Sequence, residues 1–151
     1  MDGTLKTMQM TVLFFVMMIL VFDTGRAVYT KQDIRKALEF ATKAAAMEYK
    51  KDEVMAEGRG EIDEYRSREV YVDMMMRQYN LNEDEVEAAT LYAGAINEVP
   101  YVFEHPVNGR GYLIERPMFV AVIRVRNKGV FIRNSIVVDN LSGTRLTVRR
   151  R

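Results

Sequence analysis

The side chains able to do acid–base or metal chemistry are few and scattered in this chain. It has one histidine and no cysteine, so disulfides and thiolate metal sites are excluded. His105 stands between Glu104 and Pro106, beside a turn signal at residues 108–111, which predicts a surface or loop histidine. The Gly-Arg-Gly segments at 58–60 and 109–111 are too short for a phosphate loop. No base lies near the serines along the chain, namely Ser67, Ser135 and Ser142.

These patterns predict no catalytic residue, no cofactor and a protein that is not an enzyme. One acidic cluster, Glu83-Asp84-Glu85, follows Asn82 directly. A cation site is one interpretation, but the spacing matches no Ca²⁺ loop and lacks its central glycine. The other interpretation is a helix N-cap with acidic residues in the first turn. We favour the cap, which predicts a short helix through Ala89 and no metal site.

The overall charge gives no attraction to a polyanion. Lys and Arg number 22 and Asp and Glu number 21, for a net charge of +1. No long-range field would therefore draw the chain to nucleic acid, and we expect no such partner. Methionine is abundant, at 11 residues, and most of it lies in the apolar run at 8–22 and at Met74–Met76. Both clusters suit flexible apolar packing better than chemistry.

The stretch that organises the chain is the uncharged run Met8–Phe22, MQMTVLFFVMMILVF. As a helix it spans roughly 22 Å at ~1.5 Å per residue, and a bilayer core of ~30 Å needs about 20 apolar residues. Counting back to Leu5 makes it long enough, because Lys6 can extend its ammonium to the headgroups. Three interpretations compete: a retained membrane anchor, a signal peptide cut near residues 25–27, and a buried core helix. The residues assigned to a membrane-spanning or assembly helix are Met8, Val12, Phe15, Ile19 and Phe22.

The anchor is favoured because a second helical pattern, Ala27–Glu57, follows at once. Its apolar positions 27, 34, 38, 41 and 45 share one face, which Phe40, Ala44 and Met47 widen. Gly25 is the weak point of a continuous helix, at about 1 kcal/mol relative to alanine. Small side chains permit close approach of another element, either within the chain's own domain or on another copy. This helix-packing face comprises Ala37, Ala41, Ala44 and Ala45.

The rest of the chain passes from helix to strand, which predicts an α+β fold. Glu61–Tyr79 reads as a second helix, and Met118–Arg126 as a strand. A loop at 127–129, a return strand at 130–138, a turn at 140–143 and a last strand at 145–148 complete a small antiparallel sheet. We therefore expect a tail and hydrophobic helix over 1–26, and one domain over 27–151. That domain would hold helices 27–57 and 61–79 and a β-rich part over 96–148.

The amino-terminal third resembles a known family. The apolar run, the segment FDTGRAVYTKQ at 22–32 and the alanine-rich helix after it are similar to the pseudopilins of tight-adherence (Tad) pilus systems. These form the TadE/TadG-like group, within the type IV pilin-like class. The resemblance covers Met8–Met47. It implies one long, partly membranous helix followed by a small sheet, which is a pilin-like order of elements.

The resemblance also implies a function: a membrane-anchored pilin-like (pseudopilin) structural or assembly subunit of a pilus or secretion apparatus. The implied partners are membrane lipid, other copies or other pilin-like subunits, and an assembly platform. The domain would lie outside the cytoplasm on a single-pass anchor in the cytoplasmic membrane, or within an extracellular filament. Pilin precursors usually carry glutamate five positions after the cut, whereas a cut after Gly3 would place Met8 there. A retained, accessory subunit is therefore expected. The alternative is a single-pass, membrane-anchored extracytoplasmic binding or sensing module.

Overall fold

A computed structural model describes residues 2–50, 60–79, 81–126 and 135–143 of the chain. The first element, α1, is a single helix over Asp2–Ala45, 44 residues long. At 1.5 Å per residue it extends about 66 Å. It passes through Gly25 without a break, as predicted, because one glycine costs a helix of this length only about 1 kcal/mol.

The helix ends earlier than the predicted Glu57, because the backbone after Ala45 is used elsewhere. Tyr49 forms an isolated antiparallel bridge with Ile62. Around it, the Lys50 N–H donates to the Glu61 carbonyl at 3.2 Å, and the Asp63 N–H donates to the Glu48 carbonyl at 2.8 Å. Residues 48–50 are therefore extended and cannot continue a helix. The rest of the predicted helix, 51–57, lies outside the described residues.

The same bridge delays the next helix. The helix α2 runs over Glu64–Tyr79, three residues shorter at its start than predicted. Asp63 begins it, since its Oδ1 accepts the Arg66 N–H at 3.0 Å. The predicted short helix, α3, spans Glu83–Ala89. The backbone N–H of Asn82 donates to Glu85 Oε2 at 2.9 Å, so the acidic cluster acts in a helix cap, as predicted.

The sheet confirms the predicted α+β class. Three antiparallel strands lie in the order β1-β4-β5, and β2 and β3 form a separate antiparallel hairpin. Gly109 closes the hairpin with a φ of +64°, which glycine adopts without strain. The strand bounds are β1 Thr90–Ile96, β2 Tyr101–Glu104, β3 Gly111–Ile114, β4 Met118–Arg126 and β5 Ser135–Gly143.

The central strand β4 is covered on both faces, so its side chains divide between two cores. Phe119, Ala121 and Ile123 pack with α1 and α2. Val120 and Val122 pack with the β2–β3 hairpin, through Phe103 and Ile114 among others. Continuous apolar sequence is what a strand buried on both faces needs. The domain is therefore layered, with helices, sheet and hairpin in that order.

Two parts of the predicted β region are wrong. Strand structure begins at Thr90, six residues before the predicted Ile96. The predicted turn at 140–143 is instead part of β5, where Asn140 pairs with Ala121 across the ladder. The Asn140 Nδ2 donates to Thr42 Oγ1 at 2.6 Å, so a side chain typical of turns serves here to join β5 to α1. The predicted loop at 127–129, the first part of the return strand and the strand at 145–148 lie outside the described residues.

Candidate functional site: the apolar surface of the first helix

The amino-terminal part of α1 projects from the domain with its apolar side chains uncovered. Every side chain from residue 3 to residue 18 is exposed. Of the predicted spanning residues, Met8 and Phe22 are each 68% exposed and Val12 and Phe15 are more than half exposed. Ile19 is partly covered. Apolar side chains in this number are too costly to leave in water, at about 25 cal/mol per Å².

This segment has the length and the apolar composition of a helix that could cross a membrane. It is the one helix, among the described residues, that is long and apolar enough to cross a membrane. From Leu5 to Phe22 it measures about 27 Å. Its few hydroxyls bond to the helix itself, since Thr7 and Thr11 donate to the carbonyls four residues earlier at 2.8 and 2.9 Å. Such bonds satisfy polar groups where no water is present.

The helix changes character at Ile19, where one of its faces begins to be covered. Asp23 is 5% exposed, Ala27 is half-buried, and Ile34 is fully buried. The spacing of these residues is that of one helix face. The buried face then continues to Ala45 within the helix-side core. One helix therefore serves first as an uncovered apolar rod and then as a core element of the domain.

The alanine face lies inside the chain's own domain. Ala41 and Ala45 are fully buried, Ala37 is 5% exposed, and Ala44 is half-buried. Ala37, Ala41 and Ala45 pack in the cluster that also holds Tyr71 and Met75 of α2. The prediction left open whether this face serves the parent domain or another copy. In the structure three of its four alanines, Ala37, Ala41 and Ala45, are buried in the core of the chain's own domain.

The outward face of α1 carries apolar residues beyond the span, which the sequence analysis missed. Tyr29 is 70% exposed, Phe40 61% and Met47 66%. The sequence predicts that Phe40 and Met47 belong to the inward stripe, but the structure exposes Phe40 on the helix and places Met47 in the turn after Ala45. The aromatic residues Phe22, Tyr29 and Phe40 are seven and eleven residues apart along α1, and two and three turns of helix return them to one face. This spacing is the signal that would have found them.

Charged residues accompany this outward face. Glu39 Oε1 accepts from Lys43 Nζ at 2.6 Å, one turn along the helix. The hydrogen bond and charge of Lys43 hold the pKa of the Glu39 carboxyl below its usual value. Both side chains are about half exposed, so the pair contributes little to stability. The outer face is therefore a mixed surface, on which charged side chains surround isolated exposed aromatic side chains.

His105 has a structural role in the hairpin turn. It lies in the loop after β2, as predicted, but it is 5% exposed and so is not a surface residue. Its Nδ1 accepts from the backbone N–H groups of Val107 at 3.2 Å and Asn108 at 3.4 Å. Among the described residues, no group of three acidic, histidine or cysteine side chains is arranged to hold a metal ion.

Tyr71 is the buried titratable group at the centre of the domain. Its hydroxyl lies 3.1 Å from Thr90 Oγ1. Because the Thr90 hydroxyl donates to the Val86 carbonyl at 2.7 Å, Tyr71 is the donor. Burial raises the pKa of Tyr71 to about 12. Tyr71 is therefore a neutral phenol whose hydrogen bond to Thr90 joins α2 to β1.

Comparison with protein-family models, curated proteins and solved structures finds no match to this chain. The interpretation of the site therefore depends on its geometry, in which an uncovered apolar helix runs directly into the core of a small α+β domain.

Proposed function

We propose that this chain is a membrane-anchored, pilin-like structural or assembly subunit. Residues Leu5–Phe22 would lie in the cytoplasmic membrane, with the α+β domain outside the cytoplasm. The observation that carries the proposal is the shared helix: α1 holds the uncovered apolar run at one end and the domain core at the other. The amino-terminal resemblance to pseudopilins supports the same function.

A shared helix suits a structural subunit better than a simple tether does. A flexible linker lets a domain reorient, whereas here the buried face of α1 continues to Ala45 with no break in the helix. A displacement of the apolar end of α1 would therefore move the domain with it. The aromatic residues Phe22, Tyr29 and Phe40 on the outward face supply side chains through which a neighbouring helix could pack.

The anchored binding or sensing module remains the second candidate. The observation in its favour is the enclosure of the alanine face, because Ala37, Ala41 and Ala45 are buried by the parent domain. One surface predicted for contacts between subunits is thereby used within a single chain. A monomeric module needs only the anchor and the domain.

Disulfide crosslinking separates the two candidates, since the chain has no cysteine of its own. Phe22→Cys and Tyr29→Cys place a thiol on the outward face of α1. Glu115→Cys, on an exposed residue between β3 and β4, is the matched control. After oxidation of native membranes, a structural subunit should give covalent dimers at 22 or 29 and few at 115. Dimer yields no greater than the control at both helix positions would favour the monomeric module.

A further inference from the structure

The helix α1 carries a concentration of cations directly after its apolar run. Between residues 24 and 36 it has four basic residues, Arg26, Lys31, Arg35 and Lys36, and one acidic residue, Asp33. All four basic residues are exposed. The chain as a whole is almost neutral, with 22 basic and 21 acidic residues, so the excess is local. It lies where the helix would leave the membrane.

The first two of these cations lie near the height of the lipid headgroups. The headgroup layer extends about 5–8 Å beyond the hydrocarbon core. Measured along the helix from Phe22, Arg26 is about 6 Å away and Lys31 about 14 Å. Side chains on a helix lean toward its amino terminus, which here is the membrane side. With Phe22 at the end of the span, Arg26 would lie within the headgroup layer and Lys31 would lean toward it.

The cations are spread around the helix and do not form one face. Arg26, Lys31 and Lys36 follow one another at intervals of five residues, each of which turns about 140°. They therefore lie on three sides of α1. A single protein partner covers one side of a helix, whereas a lipid surface surrounds it. Tyr29, which is 70% exposed, lies between the first two cations, and tyrosine is enriched at the membrane–water interface.

Two contacts give the direction of β4 relative to α1. The side chain of Asn97, the residue after β1, bonds to the N–H and C=O groups of Ile62 at 2.9 Å, and Ile62 is bridged to Tyr49, beyond the end of α1. This is the end of the sheet where β4 begins. Further along β4, its neighbour Asn140 bonds to Thr42, which is closer to the membrane. Strand β4 therefore runs toward the membrane.

The membrane-facing end of β4 adds two further cations. Arg124 and Arg126 are both exposed. Arg126 lies five residues, up to about 17 Å, closer to the membrane than Ala121, the residue of β4 at the height of Thr42. Along α1, Lys31 is also about 17 Å from Thr42. Arg126 therefore approaches the height of Lys31, and the domain presents cations to the membrane from both its helix and its sheet.

The acidic cluster Glu83-Asp84-Glu85 lies on another side of the domain. It begins α3, which packs on α2, β1 and β4, whereas α1 packs on α2, β4 and β5. The strand order β1-β4-β5 places β1 and β5 at opposite edges of the sheet. The cations of α1 and the acids of α3 therefore lie toward opposite edges, so an anionic surface can meet the former with little repulsion from the latter.

We propose that Arg26, Lys31 and Arg126 bind the headgroups of anionic phospholipids on the domain side of the membrane. This proposal rests on the proposed membrane anchor and names the class of lipid that surrounds it. Cations near a membrane surface attract anionic headgroups, and the attraction fades within a Debye length, about 8 Å at physiological ionic strength. Because the cations come from two elements, bound headgroups would also fix how the domain lies over the membrane.

Energy transfer to labelled lipids tests the preference. The full-length chain, which has no cysteine of its own, receives Val21→Cys at an exposed residue near the end of the apolar run. It carries a donor dye there and is reconstituted in phosphatidylcholine vesicles. A trace of phosphatidylglycerol or of phosphatidylcholine carries the acceptor on its acyl chain, so that the headgroup is intact. We expect phosphatidylglycerol to be enriched at least threefold around the anchor. At about 1 M salt, where the Debye length is about 3 Å, the enrichment should disappear.

Charge variants in the same preparation identify the residues. Arg26→Gln combined with Lys31→Gln should lower the enrichment at least twofold, and the addition of Arg126→Gln should remove it. Arg26→Lys combined with Lys31→Arg keeps both charges and should keep the enrichment. Arg66→Gln with Arg116→Gln is the matched control, because both are exposed cations near the starts of α2 and β4, at the end of the domain away from the membrane. Circular dichroism of each variant checks that the fold is retained.

Three results would overturn the lipid proposal and leave the anchor standing. Equal energy transfer to both lipids, from a chain that floats with the vesicles, would show that no lipid is preferred. An enrichment unchanged in the variant lacking Arg26, Lys31 and Arg126 would assign it to other residues. Absence of enrichment, with Phe22→Cys dimers lost in that variant, would assign these cations to contacts between copies. A chain that does not float with phosphatidylcholine vesicles would instead remove the anchor itself, and with it the proposed function.

Discussion

Ala41 illustrates how little a small residue says about its partner when only the sequence is known. Alanines along one face permit close approach, but the spacing is the same whether the approaching element belongs to the same chain or to another. The structure assigns this face to the chain itself, because Ala41 is fully buried among residues of α1, α2 and the sheet. Which element covers this face is determined by long-range packing, which no local sequence pattern encodes.

The enclosure of Ala41 predicts a loss of stability when it is enlarged. Ala41→Leu adds three carbon atoms where there is no space, and overpacking of this kind typically costs about 1–3 kcal/mol. Ala88→Leu is the matched control, since Ala88 is an exposed helical alanine of α3. Thermal unfolding of both variants in detergent should show a lower midpoint for Ala41→Leu alone. Equal midpoints, with reduced crosslinking in membranes for Ala41→Leu, would instead return this face to contacts between copies.

Tyr71 predicts a specific sensitivity to alkaline pH. Its pKa is about 12 in the folded protein, against 10.0 for an unperturbed tyrosine. The folded state therefore keeps the proton between pH 10 and 12 while the unfolded chain releases it, so stability is full below pH 10 and falls above it. The loss attributable to this group approaches roughly 2–3 kcal/mol by pH 12.

Urea unfolding at pH 8 and at pH 11 checks this prediction. Tyr71→Phe removes the titration, so its free energy of unfolding should fall less between the two pH values than that of the unmodified protein. Tyr65→Phe, at an 81% exposed tyrosine of the same helix, should behave like the unmodified protein. Burial also raises the pKa of Tyr79 and Tyr92, but both groups are present in all three proteins. An equal fall in the free energy of unfolding of all three proteins would show that Tyr71 ionises as easily in the folded state as in the unfolded chain.

At the scale of elements, the long periodic or uniformly apolar segments were predictable, and the short or mixed ones were not. The helix α1 and the strand β4 were predictable from their apolar runs. Strand β1 was missed because Ala-Gly-Ala at 93–95 has little strand propensity and follows a helix directly. Here pairing with β4 determines the conformation, as Gly94 opposite Val120 shows. The end of α1 was misplaced because the Tyr49–Ile62 bridge joins segments that only the fold brings together.

The uncovered part of α1 predicts that a charge placed there will weaken the hold of the membrane. Phe15→Lys puts an ammonium near the middle of the apolar run, where insertion costs about 2.5–3.5 kcal/mol. Phe40→Lys is a matched control, because Phe40 is a similarly exposed phenylalanine on the same helix but outside the span. After alkaline carbonate washing, Phe15→Lys should appear in the supernatant and Phe40→Lys should stay in the membrane pellet. Retention of both would place the helix in protein contacts instead of lipid.

At the scale of the whole molecule, one helix continues from an uncovered apolar segment into the core of a folded domain. Apolar side chains surround α1 on all sides up to Met18, as a lipid environment favours, and lie on a single face from Ile34 to Ala45, as a domain core requires. The change occurs between Met18 and Ile34, over about four turns of helix that include Asp23 and Arg26. A charged residue on each side of an apolar run fixes where a span can end, with Lys6 near one end and Asp23 at the other.

The proposed function predicts a single pass with the domain outside the cytoplasm, and single cysteines in the cysteine-free chain test it. Gly3→Cys reports on the amino-terminal side of the span, where an added side chain meets no atom within 4 Å. Glu115→Cys reports on the domain, at an exposed residue. A maleimide that cannot cross membranes should label residue 115 in intact spheroplasts and residue 3 only after lysis. The reverse pattern would show the opposite orientation, while protection of both positions would place the domain in the cytoplasm without a span.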